Sequence, residues 1–385
     1  MKKIYFVTFI VIFLYSCGKG NNSINDESTV ILKSSLEETK TSFFDLFERA
    51  ELIPLETTGQ SLIKSTRKVD CYDDTLYVFD DDLFAVFIFD GTGKYLNKVH
   101  KIGQGPGEYA YIYDFCIDGK KRTINMLSPL GVHYVYDFDT QFVKSYNMPA
   151  PPDSHYKFGK FSEDRYVYWT MIGPNGEYRN NNLNLVSLEQ NKNLKHFAIK
   201  DHHYTQLYTS FPFYNYNDSL FFMRPFSNDV YLLTEDSAMV AYSWDFGKKT
   251  MSIDVVNHKY PEHPDVNQAD MEFYNMFDNG EVKEAKYCYV VQNQTDKYYY
   301  TRVRFAHNVR KNMFYEKSSN KTMLFEKTTE GISFDPIYFS NEYLVFLIEP
   351  DQKDILLPVL TDSEKAKLEN IDEVDNPVLV KCYFR

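Results

Sequence analysis

Short stretches in which apolar and polar residues alternate recur along the whole chain and are separated by residues typical of turns. The clearest of them, residues 69–118, predicts four consecutive strands at 69–72, 75–79, 86–89 and 94–99. Asp73-Asp74 and Gly91-Thr92-Gly93 supply tight turns between these strands. Four strands joined by tight turns form one antiparallel sheet, which is the repeating unit of a β-propeller.

The same unit recurs at a nearly constant distance when the third strand and its turn serve as the marker. The markers are Phe89, Tyr136, Val186, Leu233, Tyr315 and Val380. The first four lie 47, 50 and 47 residues apart, and propeller blades recur about every 40 to 50 residues. The pattern therefore predicts six blades and favours a propeller over a two-sheet sandwich.

Two longer spacings indicate insertions rather than further blades. Residues 251–286 contain two prolines and the helix-like sequence NQADMEFYNMF, and the spacing between the fourth and fifth markers grows to 82 residues. An amphipathic stretch at 363–371 accompanies the last spacing of 65 residues. We therefore expect an all-β fold with small helical insertions.

The sixth unit ends one strand short of a complete four-stranded blade. The run AELIPLE at 50–56 precedes the first blade and has no neighbouring partner strand in the sequence. Pairing it with the C-terminal strand around Val380 would complete the blade and remove open sheet edges. We predict that this N-terminal strand closes the ring, with the propeller extending over residues 46–385.

The composition agrees with a β fold and limits the partners. The 385 residues include 32 Tyr and 31 Phe, and aromatic side chains favour pleated, half-buried strands. A chain of this length can form one domain when the fold is a propeller. The formal net charge of −12 makes nucleic acid a poor partner, because phosphate binding requires a basic surface.

Residues 1–17 have the features of an export signal. Lys2 and Lys3 precede the apolar run 4–14, which is too short for a membrane-spanning helix of about 20 residues. The following sequence LYSC resembles a bacterial lipobox, in which Cys17 would be lipidated; an ordinary signal peptide with a chance cysteine is the alternative. Residues 18–45, polar at their start, are then expected to form a flexible tether.

Four short motifs carry a resemblance to a known family. They are GTG at 91–93, GQGPGEY at 103–109, WDFG at 244–247 and DNPV at 375–378. The glycine motifs resemble the NHL-type repeat, and the whole chain resembles the six-bladed β-propeller lipoproteins of Gram-negative gut anaerobes, an NHL/TolB-like group. This resemblance implies the fold and export, and it brings no agreed catalytic residues. We expect the location to be the outer membrane.

Two motifs that suggest ligand chemistry have simpler interpretations. The loop 103–107 lacks the last glycine of GxGxxG, since Glu108 stands there, and no helix follows, so a turn between blades is favoured over a phosphate site. Acidic residues at 70–74 and 80–82 could bind calcium, but they lack EF-hand spacing. Solvated turns are the favoured interpretation, and calcium stays open as the one cofactor considered.

The histidines and cysteines give little support for a metal or reactive site. His202-His203, His258 and His263 form no HExxH motif, so zinc is weakly supported. The cysteines that follow the lipobox lie in apolar strand patterns without CxxC spacing, and they are Cys71, Cys116, Cys288 and Cys382. We expect small buried residues, with one disulfide pair left open.

The mouth of the central channel is the usual ligand site of a propeller, and the inner strands reach it. These strands are expected to begin near Arg67, Tyr111, Tyr156, Phe213, Tyr287 and Phe334. The candidate ligand-binding residues nearby are Arg67, Tyr111, Asp114, His155, Tyr214, Arg224, Arg302, Arg304 and His307. Rings could stack on sugars and arginines could bind carboxylates; core packing and pairing with acidic neighbours are the alternatives.

These features favour a binding module over an enzyme, and no catalytic residue is assigned. We expect a monomeric, lipid-anchored envelope protein, on the periplasmic face or the cell surface, that recognises a glycan or an envelope protein. The open alternative is a calcium-dependent lactonase, hydrolase or lyase acting on a sugar-derived substrate. That activity needs three or four converging oxygen ligands near Asp114 or Asp335.

Overall fold

Antiparallel hairpins repeat along the chain and place six sheets around a central channel. The computed structural model of the protein describes residues 29–148, 155–170, 183–197, 199, 211–252 and 266–385. Within these residues each sheet contains at least four strands in meander order, and the inner strand of the last sheet lies against that of the first. The fold predicted from the repeats, a six-bladed β-propeller with few helices, is confirmed.

The chain enters the fold through β1 (Val30–Lys33), α1 (Phe43–Leu46) and β2 (Phe47–Pro54). Blades one to three then follow, and their strands are given from the channel outwards. Blade one contains β3 (Thr66–Tyr72), β4 (Thr75–Asp80), β5 (Ala85–Asp90) and β6 (Tyr95–Val99), and blade two contains β7 (Asp114–Asp118), β8 (Thr123–Ser128), β9 (Val132–Asp137) and β10 (Phe142–Asn147). Blade three contains β11 (His155–Lys160), β12 (Arg165–Thr170), β13 (Leu183–Ser187) and β14 (Lys192–His196). The predicted turn Asp73-Asp74 has φ angles of 49° and 54°, as a two-residue type I′ hairpin requires.

Blades four to six have the same meander order. Blade four contains β15 (Phe213–Tyr216), β16 (Ser219–Met223), β17 (Asp229–Leu233) and β18 (Ala238–Asp245). Blade five contains β19 (Tyr287–Gln294), β20 (Tyr298–Phe305), β21 (Arg310–Glu316) and β22 (Thr322–Phe325). The first three strands of blade six are β23 (Pro336–Phe339), β24 (Tyr343–Ile348) and β25 (Val378–Phe384). All six marker residues of the predicted repeat lie in the third strand of a blade.

Blade six takes its outer strand from the beginning of the domain. β2 pairs with β25 in antiparallel register, from Phe47 opposite Phe384 to Pro54 opposite Val378. Leu52 and Val380, which face each other in this register, are almost completely buried in one hydrophobic cluster. The predicted closure of the ring by residues 50–56 is therefore confirmed.

The outer edge of β2 is covered by α3 (Asp362–Leu368). The Leu52 N–H donates to Glu364 Oε2 at 2.7 Å, and the Leu52 carbonyl accepts from Lys367 Nζ at 2.9 Å. Thr361 caps the helix, because its hydroxyl accepts from the Glu364 N–H. The amphipathic stretch at 363–371 thus protects a strand edge that would otherwise be free to pair with another chain.

The prediction of a flexible tether over residues 18–45 is wrong for its described part. β1 pairs in parallel with β18 as a fifth strand of blade four, from Val30 opposite Tyr242 to Lys33 opposite Asp245. Leu32 is fully buried in the cluster that contains Trp244. The sequence VILK is short and flanked by polar residues, so its apolar pattern is too brief to predict a strand. Residues 1–28, with Cys17, lie outside the described residues.

Residues 29–46, here called the strap, continue from blade four across blade five. The Thr39 N–H donates to the Leu324 carbonyl at 2.7 Å on the outer strand β22. At the start of α1, the Glu330 carboxylate accepts from the Phe43 N–H at 2.7 Å and from the Ser42 hydroxyl. Burial opposes ionisation of Glu330, but these hydrogen bonds outweigh it and lower its pKa to about 2. The strap therefore ties three successive blades together.

The insertion between blades four and five contains α2 (Val266–Asp278), where the sequence NQADMEFYNMF predicts a helix. Phe273 and Phe277 are buried and contact Phe226 edge-on at 5.4 and 5.6 Å. This part of the insertion is therefore fixed to the core. Residues 253–265 lie outside the described part of the chain, and so do His202-His203. No helix among the described residues is long and apolar enough to span a bilayer.

Candidate functional site

The inner strands of all six blades surround a cavity of about 250 Å³ in the central channel. β3, β7, β11, β15, β19 and β23 each contribute residues to its wall. The cavity is the place where one ligand could contact every blade.

Bulges in four of the six inner strands influence which side chains reach this cavity. β3, β11, β19 and β23 each show a register shift against the second strand of their blade. The shift in β3 falls between Thr66 and Lys68, and the shift in β11 falls between His155 and Lys157. Because a bulge interrupts the period-two alternation, it re-aims the side chains that follow it.

Lys68 and Asp114 form the central ion pair of the channel wall. Lys68 Nζ donates to Asp114 Oδ1 at 2.9 Å and to the Phe115 carbonyl at 2.6 Å. Asp114 is 3% exposed and also accepts from the Phe158 N–H at 3.2 Å, which joins blades one, two and three. Burial opposes the charge on Lys68, but attraction to Asp114 outweighs it, so the pKa of Lys68 is raised.

Further ionic groups extend this wall along β3, β7 and β11. Lys160 forms an ion pair with the fully buried Asp118. Lys157 donates to the Tyr113 carbonyl at 2.9 Å, and burial lowers the pKa of Lys157 to about 8. Asp70 accepts from the Ile117 N–H at 3.3 Å, and burial raises the pKa of Asp70 in spite of the nearby Lys68.

The wall formed by blades four to six is neutral. Asn215 on β15 is exposed to the channel, and Asn293 on β19 is partly exposed. Aromatic rings complete this side, and they belong to Phe211, Phe213, Tyr338 and Phe339. The cavity therefore combines flat apolar surfaces with amide groups on this side and ion pairs on the other.

Three residues predicted from the sequence lie away from the cavity or cannot be assigned to it. Arg67 has a side chain that is 43% exposed and lies 3.8 Å from Asp81 Oδ2. Tyr111 is 47% exposed and contacts Phe84 edge-on at 5.9 Å. The backbone of His155 starts β11, but its side chain lies outside the described residues.

Tyr214 and Arg224 are predicted site residues whose polar groups are engaged with other residues of the fold. Tyr214 borders the cavity, but its hydroxyl is 3.0 Å from the Tyr242 hydroxyl and accepts from Gln294 Nε2 at 3.4 Å. Arg224 is 3% exposed, and its guanidinium donates to the Tyr231 hydroxyl at 3.3 Å. The side chains of Tyr214 and Arg224 therefore connect neighbouring segments of the fold.

The predicted arginines of blade five are engaged with acidic neighbours. Arg302 forms an ion pair with Asp335, and burial lowers the pKa of Arg302 to about 10. Arg304 donates to Asp278 Oδ1 at 2.6 Å and to the Tyr274 hydroxyl at 2.8 Å, which fastens α2 to β20. His307 is exposed in a 3₁₀ turn with φ of 58°. Of the nine predicted residues, Asp114 and Tyr214 border or support the cavity.

Asp80 has a structural role that the sequence does not indicate. Its side chain is fully buried rather than solvated. Its carboxylate accepts four backbone N–H groups, from Lys64 at 2.6 Å, Ser65 at 3.3 Å, Asp82 at 3.0 Å and Leu83 at 2.8 Å. The carboxylate therefore holds the loop that enters blade one against the turn between β4 and β5.

Neither a metal cluster nor a disulfide is present in the described part of the chain. No group of three or more His, Cys, Asp or Glu side chains there is arranged to hold a metal ion. The two carboxylates proposed as calcium ligands, Asp114 and Asp335, are both paired with basic side chains. Cys71 and Cys288 are unpaired, as are the other two described cysteines, and burial raises the pKa of both thiols to about 12.

The residues missed by sequence reasoning are the lysines and aspartates inside the inner strands. Asp70 and Lys157 each stand between two apolar residues, and Lys68 and Lys160 are each followed by one. A charged residue at such a position is unusual in a buried strand, and this is the sequence feature that could have indicated these residues. Asn215 and the aromatic wall carry no comparable signal, because aromatic residues are abundant throughout the chain.

Six blades around a channel with a ligand-sized cavity define the protein as a β-propeller. The chain belongs to the family described as "Domain of unknown function (DUF4934)", whose sequence profile matches residues 28–383. No curated protein matches the chain.

Two solved structures show the same fold at low sequence identity. A protein of Bacteroides fragilis NCTC 9343 named "Putative exported protein (BF0058)" is 17% identical, with 92% of this chain and 99% of that chain covered and a TM-score of 0.72. A member of the DUF4221 family from Bacteroides vulgatus ATCC 8482 is 12% identical, with 88% and 97% covered and a TM-score of 0.53.

Proposed function

We propose that this protein is a non-catalytic binding module of the cell envelope that holds a small ligand in its central channel. The observation that carries the proposal is the cavity of about 250 Å³ to which all six inner strands contribute. A rigid ring can present polar groups from six directions at fixed positions, which reduces the ordering cost of binding.

The ion pairs of the channel wall favour binding over catalysis. Lys68, Asp114, Lys160 and Asp118 are held in ion pairs, whereas a general acid or base needs a group that is free to exchange a proton with the substrate. The thiol of Cys116, which borders the cavity, has a pKa raised by burial. A raised pKa disfavours the nucleophilic thiolate.

A channel-blocking variant tests the proposed ligand site. Asn215→Trp places a large ring in the cavity at an exposed position, so we expect the fold to persist and ligand binding to fall by at least about 10-fold, since a filled pocket cannot bury a ligand. Equilibrium dialysis of the full-length protein against a library of metabolites and short glycans, read by mass spectrometry, measures which compounds are retained.

Ser145→Trp is the matched control, because Ser145 is exposed on the outer strand β10, far from the channel. The control should retain the same compounds as the wild type. Equal retention by Asn215→Trp and the wild type, or retention of no compound by the wild type, would contradict a small-ligand site in the channel.

Export and lipid anchoring complete the proposal. The apolar run 4–14 and the lipobox-like sequence before Cys17 support them, and a structural neighbour is named as an exported protein. The resemblance to NHL/TolB-like propeller lipoproteins of the outer membrane points in the same direction. An anchored monomer could present its channel to soluble ligands or to another envelope protein.

Substitution of the lipobox cysteine tests the anchor. We expect Cys17→Ala to abolish labelling of the protein with a radioactive fatty acid and to release it from the membrane fraction. Cys71→Ala, which removes a cysteine inside blade one, should leave labelling unchanged. Labelling that survives in Cys17→Ala would exclude Cys17 as the lipidated residue.

A further inference from the structure

The two halves of the channel wall differ in chemistry. Every Lys, Arg, Asp and Glu of the six inner strands lies on β3, β7 or β11, in blades one to three. The inner strands of blades four to six contain none and reach the cavity with aromatic rings and amides. A ligand in the cavity therefore meets ionic groups on one side and flat apolar surfaces on the other.

The ionic half is balanced in charge. The basic and acidic residues of these strands that line the cavity or adjoin its lining are Lys68, Lys157 and Lys160 against Asp70, Asp114 and Asp118. A charged ligand would be attracted by one set and repelled by the other, and it would compete with existing ion pairs. A hydroxyl group can donate to a carboxylate and accept from an ammonium group without disturbing the balance.

Two buried polar atoms on the inner strands have no hydrogen-bond partner among the described residues. Gln292 is fully buried and borders the cavity; its Oε1 accepts from Trp244 Nε1 at 2.7 Å, while its Nε2 has no partner there. Asp118 pairs with Lys160 through Oδ1, while its Oδ2 has none. One atom is a donor and the other an acceptor, and a buried polar atom without a partner costs stability.

The neutral half offers faces for stacking. Tyr338 and Phe339 on β23 and Phe213 on β15 are all partly exposed to the channel. A sugar ring has one face of C–H groups and a rim of hydroxyls, so it can lie on an aromatic ring while its hydroxyls reach polar groups. The cavity of about 250 Å³ has room for one sugar ring.

We propose that the channel binds a single neutral sugar ring, stacked on the aromatic rings of blades four and six and hydrogen-bonded to the ionic wall of blades one to three. This assignment rests on the proposed function and adds the ligand class to it. The aromatic wall supplies apolar contact, the charge balance excludes ionic sugars, and the ammonium, carboxylate and amide groups of the wall can hydrogen-bond to hydroxyl groups.

Matched sugars of different charge test the ligand class. Glucose, galactose and mannose are each compared with the corresponding uronic acid and the corresponding protonated amino sugar, by saturation-transfer NMR and calorimetry on the full-length protein. We expect at least one neutral hexose to bind with a dissociation constant of roughly 1 mM or below. Its charged counterparts should bind at least about 10-fold more weakly.

Two variants test the two walls. Phe339→Leu keeps an apolar side chain but removes the ring, so hexose affinity should fall by at least about 5-fold; Phe142→Leu on the outer strand β10 is the control and should not change it. Asp70→Asn leaves the ionic wall with an excess positive charge, so the affinity for the uronic acid relative to the hexose should rise by about 10-fold.

The outcomes separate this inference from the proposed function. Tighter binding of a uronic acid or an amino sugar to the wild type, or the absence of binding by every sugar of the panel, overturns the neutral-sugar assignment. The proposed function then stands or falls on the metabolite library and the Asn215→Trp variant. A hexose that binds equally to the wild type and Phe339→Leu places its site outside the stacked arrangement and also overturns the inference.

Discussion

Leu52→Asp is expected to abolish the folded propeller. Leu52 is 1% exposed in β2, and its side chain belongs to the cluster that joins β2 to β25. Loss of a buried leucine alone costs about 2–5 kcal/mol, and burial of an unpaired carboxylate adds several more. Folded domains have only about 5–15 kcal/mol in total, so β2 should leave the sheet and open the ring. Soluble yield and urea unfolding followed by circular dichroism measure the loss.

Leu32→Asp is the informative comparison for this variant. Leu32 is as deeply buried as Leu52, but it lies in β1, the fifth strand of blade four. We expect its substitution to detach the strap while the four-stranded blades remain folded, with a clearly smaller loss of stability. Equal loss in the two variants would show that ring closure by β2 has no special role, and that the strap is as essential as the closing strand.

Asp80→Ala is expected to lower the free energy of unfolding by about 3–5 kcal/mol. The substitution leaves the N–H groups of Lys64, Ser65, Asp82 and Leu83 without their acceptor. Each buried donor left unsatisfied costs about 1–3 kcal/mol, although the costs are not additive. The midpoint of urea unfolding should therefore shift to clearly lower concentration, with the entry to blade one affected first.

Two matched variants show whether the carboxylate of Asp80 is the cause. Asp80→Asn keeps the size and one acceptor oxygen, so we expect an intermediate loss of about 1–2 kcal/mol. Asp82→Ala removes an exposed carboxylate two residues away in the same turn, and stability should stay within about 0.5 kcal/mol of the wild type. A loss of the same size in Asp82→Ala would indicate that general turn disruption, rather than the hydrogen bonds of Asp80, explains the effect.

Ring closure could be predicted from the sequence because it depends on local and countable features. Each blade has its own alternating strands and turns in the sequence. The sixth blade lacks an outer strand, and AELIPLE at 50–56 is the unpaired run that can supply it. The strap could not be predicted in this way. VILK at 30–33 is four residues long, and its parallel pairing with β18 joins segments that are distant in sequence, so no turn or periodic pattern marks it.

The candidate site was predicted less well than the fold, and the bulges explain why. Sequence reasoning selected Arg67 and His155 as residues at the starts of inner strands, whereas Lys68 and Lys157 follow the register shifts in β3 and β11. A shift of one residue moves a side chain to the other face of a strand. Arg302 and Arg304 were selected for their charge, but their acidic partners Asp335 and Asp278 come from segments that only the fold brings near.

The pairing of β2 with β25 also determines when the fold can be completed during synthesis. Its residues come from opposite ends of the domain, and Glu51 and Tyr383, which share a hydrogen bond across it, are 332 positions apart. Contacts between such distant residues slow folding, and β2 can find its partner only after β25 has been synthesised. Until then the edges of β2 and β24 are unpaired and open to aggregation. Deletion of β25 would leave both edges permanently unpaired, so the seven residues of this strand are required before the ring can close.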